Sequence, residues 1–202
     1  MKKITLASCL FIVIALLISA RWGTKAVDAP PEDTLGTPDT TLAVALSLEE
    51  MVNQSDLIAI GNCTNTQSVW VDGSLVTLAT VSVTETLKGA GSESLTVVLP
   101  GGIDVNRKIP VSMSYPGAPR LTPGEDVFLF LTADTDFGNG YTVAGFSQGK
   151  FSIVNDENGE PMVSRDLTKM SLQGDNGLHR GQSNMTPLSS FKEKVRGYLN
   201  NQ

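Results

Sequence analysis

Residues 69–88 read VWVDGSLVTLATVSVTETLK, and they limit the chain's folding options more than any other stretch. Asp72-Gly73 sits between β-rich flanks, and a two-residue turn of that type needs positive φ at both positions, which Asp tolerates and Gly supplies. On the second arm, Leu75, Ala79, Val81, Val83 and Leu87 occupy odd positions, while Thr80, Ser82, Thr84 and Thr86 occupy even ones. A period of two with one greasy and one hydroxyl-bearing face is the pattern of a half-buried antiparallel strand. The stretch predicts a long β-hairpin, and a hairpin with one apolar face needs further strands to cover it.

The rest of the chain supplies them. DLIAIGNCT (56–64), SLTVVLPGG (94–102), EDVFLFLTA (125–133), YTVAG, KFSIV and PMVSRDL are short apolar runs. They are separated by turn signals such as Asn139-Gly140 and Asn158-Gly159. Residues 125–133 are the most apolar and are expected at the centre. A series of short strands split by Gly, Asn and Pro argues for a meander closing into a barrel or sandwich. The expected fold is mainly β: a small antiparallel OB-like barrel with a short N-terminal helix and a C-terminal amphipathic helix.

Ser47 and Glu50 in SLEEMVNQSD have capping-box spacing, and Leu48, Met51 and Val52 then share a face of the first helix. Thr186-Pro187 reads as the start of the second, with a capping hydroxyl followed by a proline in the first turn. Leu188, Phe191, Val195 and Leu199 form its apolar stripe, expected to dock on the strands.

The first 20 residues, MKKITLASCLFIVIALLISA, place two lysines before an apolar run that ends in small residues. This is the layout of an export signal, with cleavage after Ala20 or after Ala26. An uncleaved membrane anchor is the alternative, favoured by the run's length and by Arg21 and Lys25. Cys9 in LASC imitates a lipidation box, but most of the apolar run follows that cysteine instead of preceding it. The expected domain plan is a signal peptide at 1–26, a flexible linker at 27–42 and the β-barrel domain at 43–167. A polar linker at 168–185 and the C-terminal helix at 186–202 complete it.

Charge and cysteine content narrow the function. Removing residues 1–26 leaves 11 basic against 21 acidic side chains, a net −10 that disfavours phosphate backbones and hence nucleic acid. Cys63 then remains as the only thiol, which excludes a disulfide framework and a cysteine-based zinc site. Its apolar strand suggests a buried structural thiol. No metalloprotease, P-loop or dinucleotide motif occurs, and no cofactor is implied.

GFSQG at 145–149 matches the G-x-S-x-G pattern of a nucleophile elbow, with His179 and Asp156, Asp166 or Asp175 downstream. That elbow needs a helix after the serine, and KFSIV is β-rich. Ser147 is therefore expected at a bend, with a serine hydrolase as the least favoured function. DTDFGNG (134–140) and NDENGE (155–160) resemble pieces of calcium loops without their spacing, and they read as turns.

Several of these segments together resemble a group of exported bacterial proteins of unknown function. They are SDLIAIGNCTNTQSVW, VTLATVSVTETLKG, LTVVLPGG, PGAPRLTPGEDVFLFL and GYTVAGFSQGKFSIV, and the likeness covers roughly residues 47–167. More distantly, a strand ending in Leu-Lys-Gly with PGEDVFLFL further on resembles the netrin module and the tissue inhibitors of metalloproteinases, which are OB-type five-stranded barrels. Those inhibitors reach the protease metal through an N-terminal cysteine, and no cysteine stands in that position here. The resemblance thus implies the barrel and leaves the inhibitory chemistry without its main group.

The expected function is an exported, non-enzymatic binding module, with an inhibitor or accessory factor of a secreted protease as the alternative. Its partner would be a protein or an envelope component in the periplasm, at the envelope or outside the cell. The membrane would be touched only through a retained N-terminal segment. The Pro-rich stretch 100–124 is the longest irregular one, and long loops on rigid scaffolds carry recognition. Tyr115, Pro116, Pro119 and Arg120 within it, with Trp70 at the hairpin, are the candidate binding residues.

Overall fold

The computed structural model describes residues 40–134 and 140–201. The expected signal peptide at 1–26, Cys9, most of the expected 27–42 linker and most of the DTDFGNG turn, Asn139 included, lie outside the described residues. What is described is mainly β, with two helices and closely packed sheets.

The hairpin expected at Asp72-Gly73 forms the longest strand pair among the described residues. β2 (Leu57–Val71) and β3 (Ser74–Lys88) run antiparallel, and both turn residues have positive φ, 47° and 80°. Short β1 (Thr41–Val44) precedes them. β4 (Ser94–Pro100) adds beside β3, and β7 (Asp126–Asp134) adds beside β2. β7 also pairs with β8 (Gly140–Val143) and β9 (Lys150–Asn155), which places the most apolar run centrally. β10 (Pro161–Asp166) and β13 (Ser183–Pro187) continue from β9 and complete an eight-stranded sheet. β8 further meets β4 in parallel at Val97↔Tyr141.

Alternation in sequence becomes two apolar layers. One face holds Ala59, Cys63, Ala79, Val81, Val97, Val127, Leu129 and Val143, from β2, β3, β4, β7 and β8. The other face holds Ile58, Phe128, Phe130, Phe151 and Val163. That second layer is covered by α1 (Leu48–Gln54) and α2 (Leu188–Asn200), through Met51, Val52, Phe191 and Val195. The capping box of α1 is complete: Ser47 accepts from the Glu50 amide, and Glu50 accepts from the Ser47 amide. Phe191 inserts among three other rings, 4.7 Å from Phe151, 5.1 Å from Phe128 and 6.2 Å from Phe130 between centroids.

Three expectations are corrected. Residues 168–185 are not a polar linker: β11 (Met170–Gly174) and β12 (Gly177–Arg180) form a hairpin, with β1 parallel to β11, and β13 begins at Ser183. Within 168–185 only Met170, Leu172 and Gly181 are buried, so short strands with mostly exposed side chains carry a polar composition. The last helix begins at Leu188; Thr186 is paired in β13, and Pro187 gives no side-chain cap. Finally, the 100–124 stretch is not wholly irregular, since β5 (Gly102–Asp104) and β6 (Val111–Met113) form a small hairpin within it.

Candidate functional site

Beyond the apolar layer of β2, β3 and β4, the same face of the hairpin turns polar. Thr66 lies opposite Ala79 and Ser68 opposite Thr77, so hydroxyls replace methyls toward the turn. The chain leaving β4 crosses over this end as the β5–β6 hairpin and then as residues 114–122. Between them lies a cleft of about 320 Å³. Leu99 and Leu121, both in the apolar layer, reach its floor. Thr66, Ser68, Thr77, Ser112, Ser114 and Thr122 contribute hydroxyls to its lining.

Two of these hydroxyls build the cleft as well as line it. Ser68 Oγ accepts the Ile103 amide at 3.0 Å, and Thr77 donates to the Gly101 carbonyl at 2.8 Å. They fasten β5 to the hairpin and also meet each other, with Ser68 Oγ 3.5 Å from Thr77 Oγ1. The close fit leaves no room for a side chain at position 102, because a Cβ there would lie 2.6 Å from Ser68 Oγ.

Of the five residues chosen from sequence, Tyr115, Pro119 and Arg120 line this cleft together. Pro119 is buried, whereas Tyr115 is 45% exposed and Arg120 is exposed. Arg120 has no ion pair among the described residues, and it is the only charged residue lining the cleft. Pro116 does not line it; its carbonyl accepts from the Thr41 hydroxyl and ties β1 to the loop. Trp70 does not line it either. Its indole N–H donates to Asp104 at 2.7 Å, and Arg107 stacks over its ring at 4.3 Å while pairing with Asp104 at 3.0 Å. Trp70 is thus the clamp that holds the β5 end. The indole bond, followed by the Asn106 amide, holds the Asp104 carboxyl below the usual carboxylate range.

The cleft hydroxyls were missed in the sequence, although Thr66 and Ser68 alternate in NTQSVW. An alternating polar pair reads as a solvent face unless the strand is known to continue beyond its covered part.

GFSQG resolves differently from an elbow. Residues 144–149 form a turn between β8 and β9, with Gly145 and Phe146 both at positive φ, 63° and 68°. No helix follows; Lys150 starts β9. The Ser147 hydroxyl is buried, donating to the Gly117 carbonyl at 2.7 Å and lying 3.0 Å from Met170 Sδ. His179 is exposed in β12, opposite Leu172. Gln148 is the residue the turn uses most. Its buried amide accepts from Leu46 N at 2.8 Å and donates to Val44 O at 2.8 Å, and its carbonyl accepts from Arg165 at 3.0 Å.

The remaining candidates are structural. Asp156 accepts the amides of Asn158 and Glu160 at 2.8 Å each, so its carboxylate closes its own turn. Cys63 is fully buried, and that burial, with Glu125 adding to it, pushes the thiol above its ordinary value. Among the described residues no group of three His, Cys, Asp or Glu is placed to hold a metal ion. Compared with known proteins, the chain matches no family model and no curated sequence.

Proposed function

We propose that the chain is an exported, non-enzymatic binding module built on an OB-type barrel, and that the β5–β6 cleft is its recognition site. The barrel reading is supported by pairing order: β7–β2–β3–β4–β8, with β8 pairing again with β7 and meeting β4 in parallel. One apolar layer draws on all five of these strands. Export is supported by the charge and apolar order of residues 1–20.

One observation carries the site assignment. Tyr115, Pro119 and Arg120, chosen for lying in a Pro-rich connection, converge on one cleft with an apolar floor and hydroxyl walls. A concave apolar base with a few convergent polar groups is the usual form of a ligand site. Among the described residues the lining holds no histidine, carboxylate or thiol, and Ser147 is hydrogen-bonded elsewhere, so binding accounts for the residues better than turnover. The protease-inhibitor alternative rests on the pairing order alone, and no feature of the cleft favours it.

The test is capture from native envelope extract by the full chain. Ser114→Trp, which places a bulky ring in the cleft lining, should abolish capture of a partner that wild type retains. Glu157→Trp, at an exposed turn, should not. Equal capture by both variants would remove the cleft from the function.

A further inference from the structure

The proposed site has a chemical bias that names its ligand class, and this step rests on the cleft being the binding site. The chain as a whole carries an excess of acid, 21 carboxylate residues against 15 cations. The cleft inverts that balance: among the described residues no carboxylate lines it, and its single charged residue is an unpaired arginine. A guanidinium with no carboxylate partner has its planar fork of donors free, and that fork matches a carboxylate in bidentate geometry.

The neutral part of the lining is equally selective. Thr66, Ser112 and Ser114 make no side-chain hydrogen bond among the described residues, and Tyr115 offers a free phenol and a half-exposed ring. Hydroxyls both donate and accept, so a wall of them complements a ligand whose own groups do both. An aromatic ring at the mouth adds an apolar plane against which the C–H face of a sugar ring can lie. The volume, about 320 Å³, is at the lower end of the roughly 300–1,000 Å³ of small-molecule sites. It fits one or two sugar rings and is too small for a protein surface element.

We infer that the cleft binds a carboxylated sugar. Arg120 receives the carboxylate, the Thr66, Ser112 and Ser114 hydroxyls receive the ring hydroxyls, and Tyr115 flanks the ring. The envelope component expected from the sequence is then an acidic glycan instead of a protein.

Titration calorimetry and amide chemical-shift mapping on the full chain test this with three probes. D-galacturonate should bind with Kd near or below about 1 mM and shift Thr77, Ser114 and Tyr115 amides. D-galactose, which lacks the carboxylate, and N-acetyl-dialanine, which lacks the polyol, should each bind at least about tenfold more weakly. Arg120→Gln should bring galacturonate down to the level of galactose without altering thermal stability. Equal binding of galactose, equal binding of the dipeptide, or no effect of Arg120→Gln would overturn the assignment. Absence of galacturonate binding alongside envelope capture that remains sensitive to Ser114→Trp would overturn the sugar and leave the cleft standing.

Discussion

Trp70 and Asp104, 34 residues apart, share a 2.7 Å hydrogen bond that ties the far end of the β2–β3 hairpin to the strand roofing the cleft. Asp104 is a hub: it also receives the Asn106 amide at 3.0 Å and pairs with Arg107, which lies over the indole. The cleft is therefore held from two sides, by this polar clamp outside it and by the Ser68 and Thr77 hydroxyls within it.

The clamp has a pH signature. Hydrogen bonding to the charged form lowers the Asp104 pKa in the native state, with the Trp70 bond the largest cause. A native value below the unfolded one contributes stability that is fully present above about pH 4 and is lost as pH falls through the lowered native value. The Trp70 indole N–H resonance is expected to keep its hydrogen-bonded shift well below pH 4. In Asp104→Asn the same resonance should lose that pH dependence, and residues 105–110 should become sensitive to protease. An indole resonance that moves at the ordinary aspartate pKa would contradict the clamp.

Ser147→Ala is expected to act on stability and not on chemistry. The substitution removes the donor to the Gly117 carbonyl inside a partly buried contact. An acceptor left unpaired there costs up to about 1–3 kcal/mol, read as a lowered Tm. Ester hydrolysis by the purified protein should be the same before and after; loss of a real esterase activity in the variant would restore the elbow reading.

Gln148→Leu should be worse than Ser147→Ala. It conserves approximate volume while stripping two partners, Leu46 N and Val44 O, that connect the β1 segment to the turn. A cost of about 2–4 kcal/mol is expected in denaturant unfolding, with the Leu46 amide exchanging faster. Unchanged exchange at Leu46 would show that the amide bridge contributes nothing.

Phe191→Ala tests how α2 is held. The ring is buried among Phe128, Phe130 and Phe151, and truncation of such a residue costs about 3–5 kcal/mol. The expected outcome is a lower unfolding midpoint with detachment of α2, seen as loss of exchange protection at Val195. A cost under about 1 kcal/mol would mean the helix is only loosely docked.

What could be read from the sequence was whatever local physics decides. Asp72-Gly73 fixed its own turn, Ser47 and Glu50 their own cap, and the α2 stripe its own inward face. The strand at 126–134 declared its centrality because it is buried on both faces. Pairings at long range were not legible. β1 lies parallel to β11 across about 130 residues, and neither strand is apolar enough to announce itself. Thr186 looked like a helix cap because its hydroxyl precedes a proline, yet pairing with Val163 holds it in β13. For the site, Tyr115, Pro119 and Arg120 were visible through loop chemistry. The hydroxyl walls were not, since Ser68 and Thr77 become neighbours only once the hairpin register is set.

The most direct test of the cleft as recognition site is photo-crosslinking in the native envelope. p-Azidophenylalanine would replace Tyr115, which already carries a half-exposed aromatic ring in the cleft lining, in one variant and exposed Asn158 in another. The account requires an adduct from position 115 that is competed by free galacturonate, and none from position 158. Adducts from position 158 with none from position 115 would contradict it.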